Sequence, residues 1–300
     1  MGGGHGTGGG IGGGGVRPRT LVLGGGGAGA EVPWDAPVAG ADDAGLARGD
    51  GCFETLLAHG GPPARAVRLA AHLERLERSA RSLELPAGAP TRADWERAAG
   101  TLLAGLPAGA QAVLRLTLTR GSGGPPLALA TLRPVPAALL AARRDGVRAV
   151  VLARGTATTP HAPWLLGTVK ALSYAVHTAA LREAARRGAD DALFADADGC
   201  LLEAPTATLA WLVDGRLHTP PTEGTGVLPG TTWEAVAAGA GLPSARTRLP
   251  AAALPGVDAA WLLSSVRGAV EVRSVDGRPL RRAGALTARL RALALDLPPS

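Results

Sequence analysis

Of the 31 Lys and Arg residues in this 300-residue chain, one alone is lysine, Lys170. On a solvated face either cation serves, so a drift toward arginine is free there. It fails where chemistry needs an amine that loses its proton and attacks a carbonyl, because a guanidinium stays charged. A sole lysine is therefore a candidate Schiff-base or general-base residue. The plainer reading is a coding bias that left one lysine by chance. The only tyrosine, Tyr174, follows four residues later, one turn away on the same face if the segment is helical. That pairing favours a site.

Other chemistries find less support. Cys52 and Cys200 are too few and too far apart for a disulfide scaffold or a metal motif, and the six histidines show no HExxH spacing. No metal site is expected. The net charge of +6 comes from arginines scattered beside acids, as in LERLERSARSLEL, and aromatics are only 3%. With no basic block and few stacking platforms, no nucleic-acid partner is expected. A GxGxxG string, Gly24, Gly26 and Gly29, follows a predicted strand at 19–23. The helix a dinucleotide site needs is ruled out by Pro33 and Pro37, so a glycine-rich hairpin is expected. Apolar runs fall short of membrane length, and the first 15 residues have no secretory pattern. A soluble, cytoplasmic protein with no membrane partner is the expectation.

The elements that must position Lys170 read as follows. Residues 1–15 are nearly all glycine and form an expected disordered tail. An N-terminal α+β domain is predicted over 16–135, a linker over 136–146, and a C-terminal domain carrying the lysine over 147–300. In the first, a strand at 51–57 precedes an amphipathic helix at 69–83, with His72 and Arg75 on the flank of its apolar stripe. A helix at 92–106 and strands at 112–119 and 127–132 follow. In the second, strands are expected at 147–153, 192–195, 208–213, 216–219 and 259–263, and helices at 173–188 and 232–238. Strands and helices alternate, yet hairpin spacings recur, which indicates a mixed α/β (α+β) chain in two lobes.

Six blocks complete the pattern: RGDGCFETLL at 48–57, RLAAHLERLERSA at 68–80, LGTVKALSYAVHTAALREAARRGADDALF at 166–194, GCLLEAPTATLAWLVDGRLHTPP at 199–221, GVLPGTTWEAV at 226–236, and the weaker LLSSVRGAVEVRSVDGRPL at 262–280. In this order they resemble the fold-type IV pyridoxal-phosphate enzymes, the class IV aminotransferase family. The resemblance implies a two-domain, D-amino-acid aminotransferase-like fold, pyridoxal 5'-phosphate as cofactor, a small-molecule substrate and a homodimer. It places the cofactor lysine at Lys170 and the phosphate-binding arginine at Arg75. Glu203 matches the acid facing the pyridine nitrogen, and Thr231 and Thr232 match a phosphate-holding turn. Ser264 and Ser265 match a second phosphate-side loop, and Tyr174 the tyrosine that bonds the ring oxygen. Singly, each reads as well as a helix charge, a strand-end acid, an N-cap or core packing; their joint order carries the weight. Two departures stand out: Ala44 where members often have arginine, and Ala204 to Thr208 where a Gly-Ser/Thr-x-Asn run is common.

Within the family, the chain lacks an arginine after Phe53-Glu54-Thr55, as well as the Arg and His of D-amino-acid aminotransferases after Thr119-Arg120-Gly121. Its RGSGG and GDGCF strings look like those of 4-amino-4-deoxychorismate lyases. A class IV aminotransferase of branched-chain or D-amino-acid type is the alternative, and a non-catalytic relative a third, opposed by the intact Lys170, Glu203 and Arg75. Arg120 and Arg267 are the candidates for a substrate's carboxylates, since the guanidinium fork suits them.

Overall fold

The computed structural model describes residues 15–24, 29–155 and 162–297. The tail at 1–14 and Gly26 of the GxGxxG string lie outside them. β1 (Arg19–Leu23) and β2 (Ala30–Val32) pair as an antiparallel hairpin, so the glycine string leads to a strand and not to a helix. Next come α1 (Ala44–Arg48), β3 (Gly51–His59), β4 (Arg65–Ala66), α2 (Leu69–Ser82), α3 (Arg92–Leu103), β5 (Gln111–Thr119) and β6 (Ala128–Pro134). The six strands form one antiparallel sheet in the order β2-β1-β6-β5-β3-β4. Leu73 and Leu76 of α2, Trp95 and Leu102 of α3, and Leu56, Leu114 and Leu116 of the sheet share a core. Leucine and alanine supply most of the burial that aromatics would otherwise give. α3 starts on a capping box, Thr91 with Asp94.

The second half contains α4 (Ala137–Asp145), β7 (Val147–Ala153), α5 (Ala175–Arg186), β8 (Asp191–Ala195), β9 (Thr208–Val213), β10 (Arg216–Thr219), α6 (Thr231–Gly239), β11 (Ser244–Arg246), β12 (Ala259–Ser264), β13 (Gly268–Val275), β14 (Arg278–Pro279) and α7 (Gly284–Leu295). Its sheet runs β11-β10-β9-β12-β13-β7-β8, with β14 beside β13. β7, β8 and β13 pair in parallel, while β9, β10, β12 and β13 form antiparallel ladders. The chain is thus the mixed α/β architecture expected. α4 fills most of 136–146.

Besides the short α1, β4, β11 and β14, two longer elements are unanticipated, β13 and α7. The first five residues of β13 are buried on both faces, which erases the alternation that betrays a strand. α7 is built from Ala and Leu with no side-chain N-cap, so no start signal marks it. Among the described residues no helix is long and apolar enough to cross a membrane.

Candidate active site

Lys170 is held by its backbone against the first sheet. The Phe53 N–H donates to its carbonyl at 3.0 Å, the Leu172 N–H donates to the Gly51 carbonyl at 2.8 Å, and Cys52 faces Ala171 in an isolated antiparallel bridge. Its own N–H donates to Ser79 Oγ on α2 at 3.4 Å. This explains the GDGCF block: a Cβ at Gly51 would stand 2.5 Å from the Leu118 carbonyl oxygen, so the tight apposition excludes a side chain. The amine projects into a cavity of about 770 Å³ between the two sheets, of a size suited to a cofactor with substrate. Nζ lies 4.6 Å from the centre of the Phe53 ring and 5.8 Å from that of Tyr174. Burial, then the charge of Arg75, pull its pKa down to about 8. The neutral, nucleophilic amine is therefore far more accessible near neutral pH than that of an ordinary lysine, and predominates above pH 8.

At one end of the cavity, Arg75 projects from α2 and is nearly buried. Its Nε and Nη2 donate to Glu54 at 2.6 and 2.8 Å, and Nη1 donates to the Pro229 carbonyl at 2.7 Å. A guanidinium has five N–H groups, so two remain for an anion. Beside it α6 begins at Thr231 with no side chain capping its first turn, which leaves N–H groups and the positive end of the helix dipole facing the cavity. Gly230 is needed here, because a Cβ would lie 2.4 Å from Thr208 Oγ1. The hydroxyls of Thr231, Thr232, Ser264 and Ser265 line the same end.

At the other end stand Glu203 and Tyr174. Glu203 is nearly buried, accepts the Leu228 N–H at 3.3 Å and lies 3.8 Å from Arg154 Nη1. Burial outweighs these partners and raises its pKa to about 7. The Tyr174 hydroxyl donates to the Pro205 carbonyl at 2.8 Å, and burial, then Glu203, push its pKa up to about 12. His177 stacks on the Tyr174 ring at 4.3 Å. Burial, Arg154 and Lys170 lower its pKa to about 4, so it faces the cavity neutral. The Ala204–Thr208 segment that departs from the usual run closes as a turn, Ala204 and Ala207 bonding each other's backbones.

The cavity thus gathers Lys170, Arg75, Tyr174, Glu203, Thr231, Thr232, Ser264, Ser265 and Arg267, but not Arg120. Arg120 is corrected as a substrate residue for this cavity. Its guanidinium is spent on Asp50, at 2.7 Å, and on the carbonyls of Leu83 and Glu84. Arg267 lines the cavity, but its Nη1 pairs with buried Asp191 at 2.6 Å, so its charge is largely balanced. Sequence reasoning missed Arg115 and Arg133, which line the cavity and have no acidic partner among the described residues. The Arg115 guanidinium sits over the Phe53 ring at 3.9 Å. A signal existed: Arg115 interrupts an otherwise apolar and threonine-rich strand, where an inward charge needs a purpose.

An aldehyde-reactive amine, a facing acid and an anion cup at a helix N-terminus define a pyridoxal-phosphate enzyme. The family profile of the class IV aminotransferases (Amino-transferase class IV) matches residues 51–275, and the chain belongs to that family. A bifunctional aminodeoxychorismate lyase / D-amino acid transaminase from Mycobacterium tuberculosis is 40% identical over 262 residues, 82% of this chain and 89% of that protein. A hypothetical aminotransferase from Mycobacterium tuberculosis, in its PLP-bound form, superposes with a TM-score of 0.85 at 37% identity, covering 93% of this chain and 99% of that one. A fold IV transaminase from Curtobacterium pusillum gives 0.84 at 36% identity, covering 93% and 99%. The cofactor is pyridoxal phosphate. The cavity's own atoms fit it: besides the open cup, Arg154 Nη1 and Arg267 Nη2 are buried with no hydrogen-bond partner among the described residues.

Proposed function

We propose that the protein is a 4-amino-4-deoxychorismate lyase that releases pyruvate and 4-aminobenzoate. One observation carries the substrate class: among the described residues, Arg115 and Arg133 face the cavity without acidic partners, and Glu203 is the only acid lining it. Two unbalanced guanidiniums beside the amine suit a substrate with two carboxylates. The name of the Mycobacterium tuberculosis relative supports the choice of lyase.

In this reading Lys170 holds the cofactor through its amine, Arg75, Thr231, Thr232, Ser264 and Ser265 hold the phosphate, and Tyr174 the ring oxygen. Glu203 keeps the pyridine nitrogen protonated. When bound, the cofactor ring accepts the electron pair left as a carbon–hydrogen bond beside the substrate nitrogen breaks. The Lys170 amine would be the base that removes that proton. The enolpyruvyl ether C–O bond then breaks and the substrate ring becomes aromatic. Lys170 returns the proton to the departing three-carbon acid, which leaves as pyruvate.

The same relative's name also carries a transaminase activity, and that is the second reading. The test is pyruvate release from aminodeoxychorismate without any keto acid. Many turnovers, with equal 4-aminobenzoate, are expected of the lyase. No pyruvate from that substrate, together with bleaching of the cofactor band by D-alanine, L-leucine or L-glutamate until a keto acid is added, makes it an aminotransferase. A homodimer belongs to the proposal: Trp164, Leu165 and Val176 are exposed, the last two where they line the cavity, a cost that a second copy removes. Light scattering should give twice the 30.0 kDa chain mass.

A further inference from the structure

Glu54 on β3 and His72 on α2 are fully buried, and neither lines the cavity. Such groups persist in an interior only with their polar atoms engaged. Glu54 accepts Arg75 twice and the His72 Nδ1 at 2.6 Å. Burial opposes its charge, but Arg75 and His72 overcome this and hold its pKa at about 2. Glu54 is therefore an acceptor only, and Nδ1 must carry the imidazole proton.

Burial lowers the pKa of His72 against the pull of Glu54, so the ring is neutral and Nε2 has a bare lone pair. That lone pair lies 3.1 Å from Ser265 Oγ and 3.2 Å from Thr231 Oγ1, and Ser265 Oγ is 3.3 Å from Thr232 Oγ1. The ring cannot donate to these hydroxyls. One of them must donate to it, which orients that group and leaves the other free to donate into the cavity. The Thr231 and Ser265 hydroxyls come from α6 and from just past β12 in the second sheet, while the imidazole comes from α2, packed on the first.

We propose that Glu54 and His72 are positioning residues for the cofactor's phosphate. Glu54 squares the Arg75 guanidinium to the cup and fixes His72 as the Nδ1–H tautomer. His72 Nε2 then holds the Thr231 and Ser265 hydroxyls in register with it. The inference rests on Arg75, Thr231 and Ser265 forming the phosphate cup.

Asparagine places an amide near Nδ1 but does not reach the hydroxyls, whereas glutamine reaches the position of Nε2. Dissociation constants of the cofactor-free apoprotein for pyridoxal phosphate and for pyridoxal, which lacks the phosphate, separate cup from fold. In His72→Asn the preference for the phosphorylated form should fall on the order of tenfold, the scale of one such hydrogen bond, with pyridoxal affinity unchanged. His72→Gln should retain most of the preference. An unchanged preference in His72→Asn, or an equal loss in His72→Gln, overturns the proposal. A wild-type protein with no preference at all overturns the phosphate cup itself. Independently of any variant, a 15N spectrum of the wild-type apoprotein should show the buried imidazole protonated at Nδ1; a proton on Nε2 alone refutes the assignment.

Discussion

A buried amine and a solvated one differ in what fraction carries a lone pair, and position 170 is where that difference counts. Lys170→Arg keeps the charge and loses the nucleophile. It should abolish the cofactor's bound absorbance and turnover, with circular dichroism unchanged; retained activity would end its role. Because burial and Arg75 lower the Lys170 pKa to about 8, the neutral form accumulates above that pH. The rate at which apoprotein captures pyridoxal phosphate should rise with pH and level off just above 8, and a rate still climbing into the ordinary lysine range contradicts the depressed value. Glu203→Gln should still bind cofactor but lose turnover by about a hundredfold or more, since an unprotonated pyridine is a poor electron acceptor. A rate within a few-fold of wild type would remove Glu203 from the ring nitrogen. At this scale Lys170 and Glu203 were legible from residue type and order. Arg115 and Arg133 were missed: an arginine in an apolar strand is a signal, but the register of β5 and β6 decides which face it takes. Arg120 misled for the converse reason: Asp50, far back in the chain, occupies its fork.

Elements carry the cup into place. α6 meets the cavity end-on, and the close approach of Gly230 to Thr208 Oγ1 sets how near its first turn can come. Gly230→Ala should weaken cofactor binding on the order of tenfold by pushing that turn outward, and Thr208→Ala in the same chain should restore part of the loss. No change in affinity in the single variant would mean the helix end can shift without cost. Strongly periodic elements such as α2 and β5 were readable to within a residue or two because one face meets the core and the other meets water or the cavity. β13, central to its sheet, has no such contrast. Its Glu271 instead anchors α7: it accepts the Thr287 hydroxyl at 2.6 Å, which in turn accepts the Trp261 Nε1–H at 2.8 Å. That buried chain joins β12, β13 and α7, and no single segment of sequence announces it.

Across the whole molecule, the cavity exists only while the two sheets keep their spacing, and α7 is one of the parts that sets it. The last carbonyls of that helix have no partners within it. They are met from the first sheet instead: Arg68 donates to Leu293 and Ala294 at 3.2 and 2.6 Å, and His59 Nε2 donates to Leu295 at 2.7 Å. Arg65 adds an ion pair to Asp296 and a contact to its carbonyl. Arg68 also stands at the N-terminus of α2, the helix that presents His72 and Arg75 to the cup. Its hydrogen bonds therefore link the C-terminal helix of one sheet to the phosphate end of the other. Arg68→Met keeps the stem and removes the donors, leaving the Ala294 carbonyl unpaired while the Leu293 carbonyl keeps the Asp296 N–H, at a cost of about 1–3 kcal/mol. The melting temperature should fall by roughly 2–10 °C, and the affinity for pyridoxal phosphate should fall with it. A lower melting temperature in Arg68→Met with cofactor affinity intact would show that the seam between the sheets can loosen without reaching the cup.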